Sequence, residues 1–170
     1  MKKLLFALIV IIPLLSIGQN DSIIPFVDGK IKFEKIIDIP GKTAKQLYSD
    51  AKLMIADIYR SGKAVVDVAD NEALFIVVKG IAQYPLNDGF GTIQQKLEHT
   101  LKLQFKDEKI KITFTDLVVY RVNAECIVEP CKGLRYSQKV RELHKKGILS
   151  VWDDLQMTIG NQLKTKTDNW

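Results

Sequence analysis

Two histidines, two cysteines and two adjacent carboxylate pairs are the side chains of this 170-residue chain best suited to chemistry. Cys126 and Cys131 lie in Ala-Glu-Cys-Ile-Val-Glu-Pro-Cys-Lys-Gly with four residues between them. A thiol redox motif has two intervening residues and opens a helix, and a structural zinc takes four ligands. The spacing fits neither chemistry. A local disulfide is the expectation, with free thiols the alternative, and so small a ring is worth only about 2 kcal/mol in loop entropy. His99 runs in phase with Leu97 and Leu101, which marks a core or sheet-face histidine over a general base. His144, in Glu-Leu-His-Lys-Lys, reads as the solvated end of a helix. Asp107-Glu108 suits a hairpin turn and Asp153-Asp154 the polar side of an amphipathic helix. Acid–base work needs carboxylates that face one another across a pocket, which adjacent residues do not show. Asn87-Asp88-Gly89-Phe90-Gly91 lacks the alternating oxygens of a calcium loop and the glycine-lysine pair of a phosphate loop. No catalytic residue, cofactor or metal is expected.

Two places carry binding potential. The segment Ala82–Thr92 is rich in turn formers and places Tyr84, Leu86 and Phe90 on an expected loop, where exposed aromatics would suit a sugar or a protein. Trp152 and Met157 could line a groove between a sheet and the last helix and hold an apolar ligand, although Trp152 also fits a plain core position.

The elements that must position these residues follow from periodicity. Ile31 and Phe33 alternate with charges in a strand over 30–39 that Pro40-Gly41 stops. Thr43 with Gln46 has capping-box spacing, and Leu47, Ala51, Met54, Ile55 and Ile58 form one stripe of a helix over Ala44–Ser61, stopped by Gly62. Lys63–Ala69 and Ala73–Ile81 make one hairpin around Asp70-Asn71. Leu97–Phe105 and Ile110–Arg121 make a second around Asp107-Glu108. The stretch 123–136 reads as a loop. Ser137 could cap a helix from Gln138 to Lys145 that ends at Gly147, after which Ile148, Val151, Trp152, Leu155, Ile159 and Leu163 resume helical spacing. Gly160 weakens those last turns by about 1 kcal/mol. The order strand, helix, four strands, helix makes an α+β domain with an antiparallel sheet.

The opening MKKLLFALIVIIPLLSIGQ sets the compartment. Lys2 and Lys3 precede an apolar run from Leu4 to Leu15, and Ser16-Ile17-Gly18 offers the small residues that signal peptidase reads. Residues 1–18 are expected to be a signal peptide cleaved before Gln19, followed by an irregular lead-in over 19–29, a single domain over 30–164 and a polar tail over 165–170. The apolar run is shorter than the roughly 20 residues of a membrane span. No cysteine near the cleavage site offers a lipid anchor. The formal charge of +5 includes Lys2 and Lys3, leaving +3 on the exported chain, which with export argues against nucleic acid as a partner.

Residues Lys32 to Tyr120 resemble a family of exported bacterial proteins described as a domain of unknown function with a TATA-box-binding-protein-like fold. The similarity lies in Phe33-Glu34-Lys35-Ile36, in Leu47-Tyr48-Ser49-Asp50-Ala51-Lys52 with Ile55-Ala56, in Val65–Asp70 with the strand to Lys79-Gly80, and in Lys109–Asp116. It implies a curved antiparallel sheet with helices on one side and brings no catalytic residues. Two features depart from the pattern: Ala73-Leu74 stands where glycine often interrupts the strand, and Cys126–Gly133 lies outside it. The fold name does not imply DNA binding, because function belongs to sites grafted on a fold. The expected protein is thus an exported, soluble, non-enzymatic binding module, periplasmic or extracellular, with an envelope protein or glycan as partner. The alternative is a carrier of a small apolar ligand.

Overall fold

The computed structural model describes residues 24–59, 65–87, 89, 91–119, 122–128 and 136–165. The expected signal peptide, the Ser61-Gly62 stop, Phe90, Cys131 and residues 166–170 of the expected tail lie outside the described residues, whereas Thr165 ends the last helix. The chain opens with β1 (Phe26–Val27) and β2 (Lys30–Ile31), an antiparallel hairpin turned by Asp28 and Gly29, both at positive φ. The expected irregular lead-in therefore ends in a paired strand. The strand expected over 30–39 breaks at Lys32, whose N–H donates to the Pro25 carbonyl at 3.2 Å, and resumes as β3 (Phe33–Asp38).

Helix α1 (Ala44–Ile58) starts where its capping box predicts: the Thr43 hydroxyl accepts from the Gln46 N–H, and the Gln46 carboxamide accepts from the Thr43 N–H at 2.8 Å. It ends at Ile58, short of Ser61, with Tyr59 as its cap. Four strands follow, β4 (Val65–Asp70), β5 (Phe75–Asn87), β6 (Thr92–Lys106) and β7 (Lys109–Val119), then β8 (Val122–Asn123), α2 (Glu125–Val128) and α3 (Gln138–Thr165). The sheet order is β3-β7-β6-β5-β4, with β8 beside β7 and every pairing antiparallel. Asp70 turns the first hairpin by accepting from the N–H groups of Glu72 and Ala73, both at 2.8 Å. Leu74 completes that turn at φ 50°, a left-handed conformation that glycine adopts at less cost.

Further expectations change, beginning with the expected loop over 123–136, which holds the end of β8 and all of α2. The turn formers of Ala82–Thr92 do not make a long loop, because β5 and β6 stay paired from Phe75↔Gln104 to Asn87↔Thr92. Pro85 is tolerated because the β4 pairing ends at Lys79 and, among the described residues, leaves that side of β5 without a strand neighbour. In addition, α3 does not stop at Gly147 but runs unbroken through Gly147 and Gly160. Its buried residues, including His144, Ile148, Trp152, Leu155, Ile159 and Leu163, recur every three or four positions along the sheet. Burial of this stripe outweighs the weak helix preference of the two glycines. Buried Lys42 ties both helices together, its ammonium donating to Asp50 of α1 and to the Leu163 carbonyl of α3, each at 2.7 Å.

Candidate binding surface

The helices cover one face of the sheet, and His99, Tyr84, His144 and Trp152 are all buried between that face and the helices. His99 is 3% exposed. Its Nε2 lies 2.8 Å from the Tyr59 hydroxyl and its Nδ1 3.3 Å from the Leu97 carbonyl. Because a carbonyl only accepts, Nδ1 carries the proton and Nε2 accepts from Tyr59. Burial holds this imidazole neutral and pushes its pKa down to about 4, while burial pushes the Tyr59 phenol up. Gly80 makes the pair fit: a Cβ there would stand 2.6 Å from the Tyr59 ring and 3.0 Å from His99 Nε2.

A second pair repeats the design at the other helix. Tyr84 is 1% exposed, and its hydroxyl lies 2.6 Å from His144 Nδ1, with its ring against the backbone of Gly147. His144 is therefore buried, not at a solvated helix end, and burial lowers its pKa. The correction follows from the continuous α3: four residues before Ile148, His144 falls on the stripe that faces the sheet. That phase is visible in the sequence once Gly147 is allowed inside a helix. Leu86 is buried as well, so Tyr84 and Leu86 are core residues and not parts of an exposed loop.

The groove expected from Trp152 and Met157 does not form. Trp152 packs on Phe33 and Phe114 at ring distances of 5.4 and 5.9 Å, whereas Met157 is 62% exposed. Five residues apart, they point about 140° away from each other around the helix. Cys126 lies in α2, and its expected partner Cys131 falls outside the described residues. The carboxylates of the second hairpin turn serve the backbone: Asp107 accepts from the Ala44 N–H at 2.8 Å and Glu108 from the Gly41 N–H at 3.0 Å. Asp153 accepts from the Gln156 side chain on an exposed face of α3.

Among the described residues, the opposite face of the same strands carries no helix. Alternate residues place Lys79 and Ile81 of β5, Glu98, Thr100 and Lys102 of β6, and Lys111, Thr113 and Thr115 of β7 on it, with Glu34 and Ile36 of β3 beside them. A β-bulge bends it. Glu98 pairs with Val118 and Thr100 with Thr115, so Asp116 and Leu117 together oppose His99. Asp116 takes φ 53°, a left-handed conformation that non-glycine residues seldom adopt. At this bend the face encloses an open concavity of about 480 Å³, walled by Ile81, Val118 and Thr100 and edged by Lys79, Glu98 and Asp116. His99 also lines it, while its ring bonds to Tyr59 at the end of α1. A second concavity of about 360 Å³ lies toward the other end, between Ile36, Gln104, Lys106, Lys109 and Lys111.

Charge on this face is partly self-compensated. Glu34 bridges Lys32 and Lys111, each at 2.9 Å, and those ammonium groups hold its carboxyl below the usual range. Lys79 meets Asp67 at 3.2 Å. Lys102 lies over the Phe75 ring, 5.1 Å from its centre. Among the described residues no group of three or more metal-ligating side chains converges, and no helix is long and apolar enough to cross a membrane.

Comparison with known proteins agrees with this architecture. A TBP-like protein from Parabacteroides distasonis matches over 83% of this chain and 97% of its own, with a TM-score of 0.69 at 14% identity. A DUF4468 family protein from Bacteroides ovatus matches over 82% and 90%, with a TM-score of 0.64 at 15% identity. At such identities the likeness concerns fold alone. No curated protein sequence matches significantly. The family model described as "Domain of unknown function (DUF4468) with TBP-like fold" matches residues 33–120, from the first strand of the main sheet to the end of β7, and the chain belongs to that family.

Proposed function

We propose that this chain is an exported, non-enzymatic binding module of the cell envelope that holds a partner protein or glycan against the helix-free face of its sheet. The observation that carries this reading is the concavity of about 480 Å³ at the bulge, which puts mixed polar and aliphatic side chains on a face with no helix over it. The leader Met1–Gly18 supports export. A disulfide between Cys126 and Cys131 would suit that compartment and pin the segment after β8. The carrier alternative draws no support from Trp152, whose surroundings are filled by Phe33 and Phe114. A catalytic role for His99 would need its ring beside Glu98 and Asp116, and the ring points to the other side of the sheet.

The test is recovery of partners from envelope extracts by the exported chain. Thr100→Arg, which fills the concavity with a bulky cation, is expected to cut recovery at least fivefold without changing the melting temperature. Met157→Ser, on the exposed side of α3, is expected to leave recovery intact. The reverse pattern would sink the reading.

A further inference from the structure

The two concavities of the helix-free face differ in charge. The one at the bulge mixes Lys79 with Glu98 and Asp116. The other is edged by Lys106, Lys109 and Lys111, and Lys102 stands one strand pair away. Two of its lysines are ion-paired, Lys111 with Glu34 at 2.9 Å and Lys109 with Asp38 at 3.8 Å, while Asp107 and Glu108, in the turn between Lys106 and Lys109, accept from the Ala44 and Gly41 N–H groups. Lys106 makes no ion pair among the described residues. The floor adds Gln104 and Ile36, the latter 61% exposed.

We infer that this basic concavity is a subsite for an acidic saccharide, one bearing carboxylate or phosphate groups on its sugar rings. The inference rests on the helix-free face being the binding face and names the ligand class at one end of it. Charge complementarity selects an anion. Lysines are point charges on flexible stems, and among the described residues this face carries no arginine to impose a bidentate geometry. They suit anionic groups spaced along a chain, since Lys109 and Lys111 are two residues apart on one strand, about 7 Å.

The form of the site selects a sugar. An acidic peptide would draw affinity from main-chain hydrogen bonds, and the face of a sheet, unlike its edge, offers side chains only. A membrane surface would meet the lysine rim but not Gln104 on the floor. A sugar ring presents hydroxyls to the Gln104 carboxamide and C–H groups to Ile36 while its acid meets the lysines.

The experiment is a nuclear magnetic resonance titration of the exported chain with α-1,4-trigalacturonate. Saturable shifts at Gln104, Lys106 and Lys111 are expected, with none from neutral maltotriose. Lys106→Gln with Lys109→Gln is expected to weaken binding about tenfold, and Lys45→Gln with Lys52→Gln on α1 less than twofold. Equal loss from both pairs, equal binding of maltotriose, or tighter binding of hexa-aspartate or phosphatidylglycerol vesicles through the same lysines would overturn the assignment. If trigalacturonate fails while Thr100→Arg still abolishes recovery from envelope extracts, the saccharide falls and the binding face stands. If both fail, both fall.

Discussion

The two faces of the one sheet obey different rules. On β6, Leu101 and Leu103 are fully buried under the helices, while Lys102 and Gln104 between them stand on the helix-free side. The covered face is settled by volume. It uses glycine where rings need room, as Gly80 does for Tyr59 and His99 and Gly147 for Tyr84. The helix-free face is settled by charge and curvature, with ion pairs at its rim and a bulge that makes it concave. Side chains can therefore change on one side without repacking the other.

Substitutions can break that contrast in decreasing steps. Phe114→Ala removes a ring that touches Phe33, His99 and Trp152, and should cost about 3–5 kcal/mol in urea unfolding. Acid should act next through His99. Its pKa is about 4 in the fold against about 6.5 when unfolded, so the unfolded chain takes up the proton first as pH falls. The stability that this neutral imidazole contributes is complete above pH 6.5 and is lost as pH falls toward 4, up to about 3 kcal/mol. Unfolding of His99→Gln at pH 7.5 and pH 4.5 should show that slope flattened. Gly80→Ala should cost about 1–3 kcal/mol by pressing on Tyr59 and His99, measured as a lower melting temperature. Lys79→Gln, which breaks the exposed pair with Asp67, should change stability by less than about 1 kcal/mol. A large loss from that last change would show that the helix-free face is structural after all.

Much of the fold was legible because period-two and helical stripes report burial directly. Thr43 with Gln46, the alternation from Leu97 to Phe105 and the turn at Asp107-Glu108 all stand where the pattern puts them. The site was harder to read. Tyr84 looked like a loop residue because Pro85, Asn87 and Gly89 surround it, yet cross-strand pairing to β6 outweighed those local preferences. Gly147 looked like a stop because the room it makes for Tyr84 is a fact of tertiary packing. The bulge at Asp116 left no mark in the sequence, since aspartate is an ordinary strand-end residue and its positive φ follows from the register with β6. The helix-free concavities are hidden for a related reason: they arise from the register and bend between strands, which no single segment of sequence displays.

The pairing of β3 with β7 has a consequence for how the molecule is made. Phe33 meets Phe114 and Asp38 meets Lys109, so the first strand of the main sheet waits for the last long one. The hairpins β4–β5, β5–β6 and β6–β7 can zip locally as each turn is synthesised, but the edge opposite β4 stays open until residue 114 is available. Closing so long a loop is slow compared with hairpin formation. Until then β7 presents an unpaired edge, and a fragment ending before β7 leaves β3 with no partner in the sheet. The interval between synthesis and closure is thus written into the strand order.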